Sequence, residues 1–595
     1  MRTLPRTGIR RSHLFFGFLT LLTMLLMGCG TSNGSANQLD ASQVFTWPLI
    51  HVASYDKLTL DPANVTDLYS ASVIDAIYSG LVTTDRNLNV IPDLASSWDV
   101  SPDGRTYTFH IRPNLHFSDG EPLTAQDFAY GIDRALSPKV CIPYFGDPCA
   151  PYAYPGYLGD INGAKARVGG TLSSLIGTGL FVPDAQTLVI KLDPNQPPIA
   201  YFLEALTYPT SYPVEKKLID KYGTNVASHN DWTAHLDEGG DSGPFILKSH
   251  NTTEITLVPN PYWYGPKITL KEIIRPFVSD QTAAYAGYRQ GKYDYSEVPS
   301  QEYQAARDQD DFHEVGLLQT AYIGINQASA PLNDLELRQA LALAINKQLI
   351  ADRVLNGSAY PTNHIVPQGM PGFFDGLTAP GIDSRTVTGD ADTAQKLIKD
   401  FFNRNPQYDD KLTLTLTFQN DDTDVERVEQ ALKAMWEGVL SGVKITGDVK
   451  TSVTIKEDGM SFQDLVGAML GPTVGNKPGA LQMWMIGWIA DYPDPQDWLS
   501  LQFSKSSALN ASNYQDGNGF TAQTLMAQAD KEQNAAKRMS LYNQAEQQLV
   551  NDVAWLPYSQ PKGIWRIRTY IQGFNPSALG LLTDLDWANV EVLAH

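Results

Sequence analysis

The chain has 595 residues, of which 65 are Asp or Glu and 44 are Lys or Arg, so its net charge at pH 7 is −21. This acidic balance argues against nucleic-acid binding, because phosphate contacts need clustered Lys and Arg. Three cysteines exclude a disulfide-rich scaffold and a zinc site made of four thiolates. Hydrophobic residues make up 43% of the chain, which is typical of a globular protein.

The N-terminal 28 residues are typical of an export signal. Residues 1–13 carry four arginines and no acidic residue, and an apolar run of fourteen residues follows at 14–27. Because that run is shorter than the about 20 residues that span a bilayer, we predict that 1–28 is a cleaved signal peptide. The sequence LMGC at 26–29 resembles the bacterial lipoprotein box, which implies that Cys29 is lipidated and becomes the new N-terminus. The alternative is an uncleaved anchor.

A flexible tether is predicted at residues 29–44. Residues 30–42 are rich in Gly, Ser and Asn, a composition typical of flexible linkers. The tether would hold the folded part away from the membrane, on the extracytoplasmic side.

The other two cysteines, Cys141 and Cys149, enclose seven residues rich in Pro and aromatic residues. Outside the cytoplasm, two close cysteines more often pair than stay free. We therefore predict a disulfide with a structural role, and the alternative is two unpaired buried thiols.

Strand and helix patterns alternate along the rest of the chain and predict an α/β fold. Thr124 and Asp127 predict a capping box at the start of a helix. The main predicted strands are a hairpin at 98–112, a strand at 187–192, a pair at 243–259, and strands at 412–418, 481–489 and 557–568. The main predicted helices are 124–136, 282–290, 333–350, with Asn333 as its cap, 425–440 and 541–553.

The order of several short motifs resembles the large substrate-binding proteins of ABC importers, a family that takes up oligopeptides, dipeptides, nickel and related solutes. The resemblance covers roughly residues 45–590, and WIAD at 488–491 favours the oligopeptide-binding branch. The motifs are DAIYSGL at 75–81, IPDLASSW at 91–98, YTFHIR at 107–112, FSDG at 117–120, LTAQDF at 123–128, GPFIL at 243–247, PNPYW at 259–263, RQAL at 338–341 and GWIADYPDP at 487–495.

The resemblance implies a two-lobed periplasmic-binding-protein fold, or Venus flytrap, of the large peptide-binding type. Lobe I would comprise 45–90, 236–316 and 556–595, with an inserted subdomain at 91–235. Lobe II would comprise 317–555. A chain that crosses between lobes near 319–320 and near Pro557 suits a hinge, so a solute that binds both lobes favours the closed form.

The resemblance also implies that Asp491 binds the α-ammonium group of a peptide. A carboxylate that loses water on closure needs a cation, and a charge-assisted bond to an ammonium group supplies one. The alternative is that Asp491 only forms a turn, because the sequence DYPDP at 491–495 is rich in turn-forming residues.

Five aromatic residues are further candidates for solute contacts. Trp488 and Tyr492 flank Asp491, and Trp488 is expected to line a side-chain pocket. Tyr152 and Tyr154 match an aromatic stretch of the family that borders the cleft. Tyr55 lies in the N-terminal segment expected near the ligand backbone.

The chain departs from the oligopeptide-binding pattern at the other end of the site. The relatives have an Arg three residues before the Trp, able to meet a peptide carboxylate, and this chain has Met485 there. A stacking Trp found upstream in the relatives is also missing from the matching stretch at 452–467. The resemblance therefore implies that the amino end of a peptide is held as in the relatives and the far end differently.

Other functions stay open on the sequence. Within the family the solute can be nickel, haem or an oligosaccharide, and the chain can act as a sensing receptor. A secreted hydrolase has the least support, because no H-E-x-x-H, P-loop or paired CxxC motif occurs. The acid-rich stretch 420–426 lacks the glycine of a calcium-binding EF-hand loop and is predicted to begin a helix.

We therefore predict a monomeric binding protein that is not an enzyme and has no cofactor, metal site or nucleic-acid partner. Its partners would be short peptides, the transmembrane permease subunits of an ABC importer, and the membrane through the N-terminal lipid.

Overall fold

The computed structural model of the protein describes residues 38–65, 67–140, 157–223, 232–470, 480–505, 507, 509–515 and 521–595. The predicted signal peptide, most of the predicted tether and five predicted residues lie outside these ranges. Those five are Cys29, Cys141, Cys149, Tyr152 and Tyr154.

Helices are distributed along the whole described chain. The α-helices are α1 Leu68–Ile77, α2 Ala125–Ala135, α3 Ala164–Val168, α4 Phe202–Ala205, α5 Lys216–Tyr222, α6 Gln281–Arg289, α7 Tyr303–Ala306, α8 Leu335–Leu343, α9 Lys347–Leu349, α10 Ala391–Arg404, α11 Thr423–Leu440, α12 Phe462–Leu470, α13 Ser500–Phe503, α14 Ala522–Ala529 and α15 Ala535–Asn551. Short 3-10 helices include Tyr55–Lys57, Pro62–Asn64, Pro209–Ser211, Trp232–Glu238, Pro495–Asp497 and Asp584–Asn589, and a π-helix spans Ile350–Val354.

The strands alternate with the helices, as an α/β fold requires. They are β1 Val44–Thr46, β2 Leu49–Ile50, β3 Val82–Thr84, β4 Val90–Pro92, β5 Ala95–Val100, β6 Thr106–Ile111, β7 Leu180–Asp184, β8 Thr187–Lys191, β9 Phe245–His250, β10 Glu254–Pro259, β11 Glu272–Val278, β12 Tyr295–Glu297, β13 Phe312–Gly316, β14 Gln319–Ile325, β15 Ala359–Pro361, β16 Lys411–Gln419, β17 Ser452–Met460, β18 Met483–Ile489, β19 Trp555–Ile567, β20 Ile571–Gln572 and β21 Glu591–Val592.

One sheet joins the beginning of the chain to its middle. Its order is β1-β11-β10-β9, with β2 also paired to β11. A second sheet, in the order β5-β6-β8-β7, lies in the segment predicted to be an inserted subdomain. Its neighbouring helix α2 begins with the predicted capping box, in which Asp127 accepts a hydrogen bond of 2.8 Å from the Thr124 amide.

The largest sheet has the order β12-β19-β14-β18-β16-β17. Strands β16, β17 and β18 run parallel, and β14 runs antiparallel to β18. The long strand β19 pairs with β14 and β15 in its first half and with β12 and β13 in its second half. It is therefore the element that connects the middle of the chain to the part dominated by β16–β18.

The buried side chains form several cores, of which three are large. The N-terminal core includes residues from Phe45 to Tyr295 and C-terminal residues from Trp565 to Val592, and it also contains Tyr492, Leu501 and Leu509. Two further cores cover the sheet of β14, β16 and β18. Alternation along β18 separates these two, because Met483 and Met485 belong to one core while Ile486 and Trp488 pack against the other.

The predicted helix 333–350 is wrong in its bounds. The structure has α8 beginning after Asp334, whose side chain accepts a hydrogen bond of 3.0 Å from the Leu337 amide. The helix then ends, because Asn346 caps the separate helix α9 by accepting a hydrogen bond of 2.9 Å from the Leu349 amide. A side chain that competes for backbone amides thus interrupts a continuous apolar pattern.

The predicted helix 541–553 begins earlier than its apolar pattern indicates. Asn534 caps α15 and accepts a hydrogen bond of 3.0 Å from the Lys537 amide. The predicted hairpin at 98–112, the strand at 187–192 and the helix start at 420–426 are confirmed as β5–β6, β8 and α11.

The motif GPF at 243–245 has a steric reason for its glycine. A Cβ atom at Gly243 would lie 2.6 Å from the backbone nitrogen of Tyr78 and 2.7 Å from the carbonyl carbon of Ile77. The Gly243 amide donates a hydrogen bond of 2.9 Å to the Ile77 carbonyl, so β9 meets the end of α1 backbone to backbone. The close approach fixes helix and sheet together.

We expect Gly243→Ala to lower the free energy of unfolding by about 1–3 kcal/mol, because the methyl group meets backbone that cannot turn aside. The matched control is Gly438→Ala inside α11, where a Cβ atom meets nothing within 4 Å. That control is expected to raise stability by up to about 1 kcal/mol through helix propensity. Urea denaturation of both variants measures the difference, and equal effects would contradict the steric argument.

Candidate functional site

The candidate site is the loop that follows β18. This strand lies between β14 and β16, and its parallel neighbours β16 and β17 end at the same edge of the sheet. Side chains just beyond the carboxyl ends of parallel strands commonly form ligand sites. The loop places Asp491 two residues after the end of β18 and leads into the 3-10 helix Pro495–Asp497.

The Asp491 carboxylate forms a hydrogen bond with a residue that is distant from it along the chain. Its Oδ2 accepts a hydrogen bond from the hydroxyl of Tyr157, a residue of the N-terminal core. Burial raises the pKa of Asp491 to about 7, and the hydrogen bond from Tyr157 opposes this rise. Within the described ranges, no Lys, Arg or His side chain forms an ion pair with Asp491.

A turn-forming role was the alternative for Asp491, and Asp494 of the same loop has such a role. The Asp494 side chain caps the 3-10 helix by accepting a hydrogen bond of 2.9 Å from the Gln496 amide. It also accepts two hydrogen bonds, of 2.6 and 2.5 Å, from the guanidinium of Arg538 on α15. Asp494 is therefore fully compensated by a cation, in contrast to Asp491.

Trp488 is half-buried and packs against the N-terminal core and one of the cores of the largest sheet. Its indole Nε1 donates a hydrogen bond of 3.3 Å to Asp497, which fixes the orientation of the ring. The side chain therefore forms part of the wall beside Asp491.

Tyr492 is fully buried, and its hydroxyl donates a hydrogen bond to Gln496. Its ring meets Tyr157 edge-on, with 5.9 Å between centroids, and lies parallel to Tyr201 at 6.4 Å. Because burial and nearby acidic groups raise the pKa of Tyr492 well above its usual range, its hydroxyl stays neutral.

Tyr55 has a different environment from the Asp491 loop. Its ring stacks on His250, with 3.8 Å between centroids, and its hydroxyl donates a hydrogen bond of 2.6 Å to the Thr233 carbonyl. The structure thus brings Trp488, Asp491 and Tyr492 together and holds Tyr55 against the segment around Thr233. A solute contact by Tyr55 stays a prediction.

Met485 is 2% exposed and belongs to the core formed by α8, α10 and α11. It lies on the face of β18 opposite to Trp488, as strand alternation requires. An apolar side chain in this position offers no charge to a peptide carboxylate.

Tyr157 is a residue of the candidate site that sequence reasoning missed. It follows Tyr152 and Tyr154 in the same aromatic stretch, so the pattern that predicted those two residues also contained it. The spacing of the three tyrosines does not distinguish them. What distinguishes Tyr157 is its contact with Asp491, which lies 334 residues later in the chain.

Further contacts join the same two parts of the molecule. The guanidinium of Arg538 lies over the ring of Tyr201, 5.8 Å from its centroid. The Gln533 side chain donates a hydrogen bond of 3.1 Å to the Pro198 carbonyl. The segment containing Tyr157, Pro198 and Tyr201 therefore faces the segment containing Asp491, Gln533 and Arg538.

The described part of the chain contains no group of three His, Cys, Asp or Glu side chains arranged as a metal site. In the same residues, every helix is too short or too polar to cross a membrane.

A family model described as bacterial extracellular solute-binding proteins, family 5 Middle, matches residues 89–510. The chain belongs to this family. The resemblance to the substrate-binding proteins of ABC importers and the two-lobed α/β fold that it implied are both confirmed.

Two relatives of this family 5 protein are named as periplasmic binding proteins. The probable deoxycholate-binding periplasmic protein YgiS of Escherichia coli K12 is 28% identical over 531 residues, which cover 87% of this chain and 89% of that protein. The periplasmic oligopeptide-binding protein OppA of the same strain is 26% identical over 527 residues, which cover 87% of each chain.

Solved structures show the same fold as this family 5 protein. The E. coli murein tripeptide binding protein MppA matches with a TM-score of 0.76 and 24% identity, covering 94% of this chain and all of that one. Haemophilus influenzae OppA in complex with RPPGFSPFR matches with a TM-score of 0.75 and 20% identity over 94% of this chain and all of that one.

Replacing Asp491 by Asn is expected to stabilise the solute-free protein at pH 8. The folded-state pKa of about 7 lies above the ordinary value of 3.8, so the folded chain binds more protons and loses stability as pH rises from about 4 to 7. Asn cannot ionise and keeps an acceptor for Tyr157. We therefore expect the thermal midpoint to rise by about 1–3 °C at pH 8 and to match the original protein near pH 4.

Asp494→Asn is the control, because it breaks the buried pair with Arg538 and should lower stability by about 3–5 kcal/mol. A thermal midpoint at pH 8 that is lower in Asp491→Asn than in the original protein would contradict the account of Asp491 as an uncompensated buried carboxylate.

Proposed function

We propose that the protein is an extracytoplasmic solute-binding lipoprotein of an ABC importer. It captures short peptides between its lobes by hinge closure and delivers them unchanged to the transmembrane permease subunits. The observation that carries this proposal is the half-buried Asp491 carboxylate, which has a hydroxyl partner but no cationic partner within the described residues.

A peptide α-ammonium group suits Asp491 in charge and in reach. The group is a cation with three donors, so it can satisfy a carboxylate oxygen that Tyr157 leaves available. Contact through the amino terminus fixes the register of a peptide without reading its side chains. Trp488 would then lie next to the first residues of the peptide, where an aromatic wall accepts varied side chains.

The lobes are proposed to divide as 45–90, 236–316 and 556–595 against 317–555, with 91–235 inserted in the first. In support, β13 ends at Gly316 and β14 begins at Gln319, and the chain passes there from the second half of β19 to its first half. The second crossing near Pro557 falls within β19, which pairs with strands of both parts. Rotation about these two connections would open and close the space beside Asp491.

The charge of Asp491 favours a peptide over the solute named for YgiS. Deoxycholate is an anion without an ammonium group, so it would leave Asp491 uncompensated. A catalytic role has less support, since the relatives are named as binding proteins and the Asp491 loop needs no covalent step to hold a peptide.

The peptide proposal is tested by isothermal titration calorimetry with tri-, tetra- and pentaalanine at pH 7.5. We expect Asp491→Ala to weaken binding by about 30- to 1,000-fold while the fold stays intact, because a buried ammonium loses its counter-charge. Acetylation of the peptide amino terminus should weaken binding to the original protein similarly. Amidation of the carboxyl terminus should weaken it less, because Met485 replaces the cation of the relatives.

Gly438→Ala serves as the control for binding, because it lies inside α11, outside the Asp491 loop, and an added Cβ atom meets nothing within 4 Å. Full affinity of Asp491→Ala for a peptide with a free amino terminus, with thermal stability unchanged, would contradict the assigned role of Asp491.

The lipid anchor is tested by metabolic labelling with an alkyne fatty acid. We expect label on the original protein and on Cys141→Ser, and none on Cys29→Ser, because the thioether lipid requires the Cys29 thiol. Undiminished label on Cys29→Ser would contradict the anchor, whether or not peptide binding holds.

A further inference from the structure

A second carboxyl group lies beneath the Asp491 loop. The Oδ2 atom of Asp497 accepts a hydrogen bond of 3.1 Å from the backbone amide of Asp491 and another of 3.3 Å from the indole Nε1 of Trp488. One oxygen atom thus holds both the residue proposed to bind the ammonium group and the residue proposed to line the pocket.

Asp497 cannot serve as a solvated surface charge. Asp497 is 0% exposed, and among the described residues its other oxygen, Oδ1, is buried without a hydrogen-bond partner. A buried carboxyl group with an unsatisfied oxygen costs stability. The two hydrogen bonds that Asp497 accepts from Asp491 and Trp488 offset part of this cost.

Several polar and charged groups surround Asp491 and Asp497. Tyr157 faces Asp491, while Tyr492 and Asp494 flank Asp497 on the same loop, and Arg538 is engaged by Asp494. Burial and the negative charge of Asp491 raise the pKa of Asp497 well above its usual range. Asparagine matches Asp497 in shape and keeps a side-chain oxygen as the acceptor for both hydrogen bonds.

We propose that Asp497 is a positioning residue of the solute site, which acts through the Asp491 amide and the Trp488 indole rather than by touching the solute. This inference rests on the proposed function and deepens it. Without the Oδ2 acceptor, the loop loses the bond that aims the Asp491 carboxylate, and the indole ring loses the bond that fixes its orientation. The solute would then meet the same groups in the wrong place.

The test uses the full mature chain and the polyalanine peptide that binds the original protein most tightly. We expect Asp497→Ala to lower affinity by about 10- to 100-fold, as loss of a supporting hydrogen bond does at other built sites. Asp497→Asn should restore affinity to within about threefold of the original, because its side-chain oxygen keeps the acceptor. In an Asp491→Ala background, Asp497→Ala should cause a smaller further loss than in the original protein, because only the part of its effect that passes through Trp488 remains.

Three results would overturn the inference: unchanged affinity in Asp497→Ala, no rescue by Asn, or a full additional loss in the Asp491→Ala background. If Asp497→Ala does not fold, Trp488→Phe removes one donor and keeps an aromatic wall. It should weaken binding about three- to tenfold, and unchanged affinity overturns the inference. Loss of affinity in Asp491→Ala with none in Asp497→Ala removes the inference and leaves the peptide proposal intact, whereas no loss in either removes both.

Discussion

A carboxylate that is removed from water must find a positive partner or take up a proton, and the site of this protein is organised around that constraint. Asp491 and Asp494 lie three residues apart on one loop and meet the constraint in opposite ways. Asp494 has the guanidinium of Arg538, which makes it a structural residue. Asp491 has the Tyr157 hydroxyl, so its ionised form is costly until a cation arrives. A group that destabilises the empty protein is typical of a binding site rather than of a structural one.

The proposed hinge closure would bury and expose that carboxylate. Asp491 follows β18, at the edge where the parallel strands β16, β17 and β18 end, and Tyr157 belongs to the N-terminal core. The contacts of Tyr201 with Arg538 and of Gln533 with Pro198 join the same two parts, so the environment of Asp491 depends on how closely they approach. In the proposed function, a solute that contacts both parts favours their approach.

Local sequence patterns predicted much of the fold because they depend on neighbours along the chain. Thr124 and Asp127 form their capping box, and the alternating pattern at 187–192 forms β8. The apolar stripe at 333–350 failed as a single helix, because Asn346 competes for the backbone amide that a continuous helix needs. Periodicity records which face is buried, whereas caps decide where a helix stops.

The candidate site was likewise predicted only in part from the sequence. The resemblance singled out Asp491 and Trp488, but sequence alone left Asp491 between a binding role and a turn, and only the pairing of Asp494 with Arg538 separates the two aspartates. Tyr157 and Asp497 escaped notice because their roles are set by contacts with Asp491 and Trp488 that no motif encodes. The ring of Tyr55 stacks on His250, and its predicted contact with a solute stays a prediction.

We propose that Asp491 binds the positively charged amino end of a peptide. Native mass spectrometry of the mature protein, purified from its own cells without denaturation, measures this most directly. We expect a ladder of bound masses that tandem fragmentation identifies as short peptides with free amino termini. The ladder should disappear from the Asp491→Ala protein. A single bound mass without an amino group, or a peptide ladder that persists unchanged in the Asp491→Ala protein, would contradict the proposal.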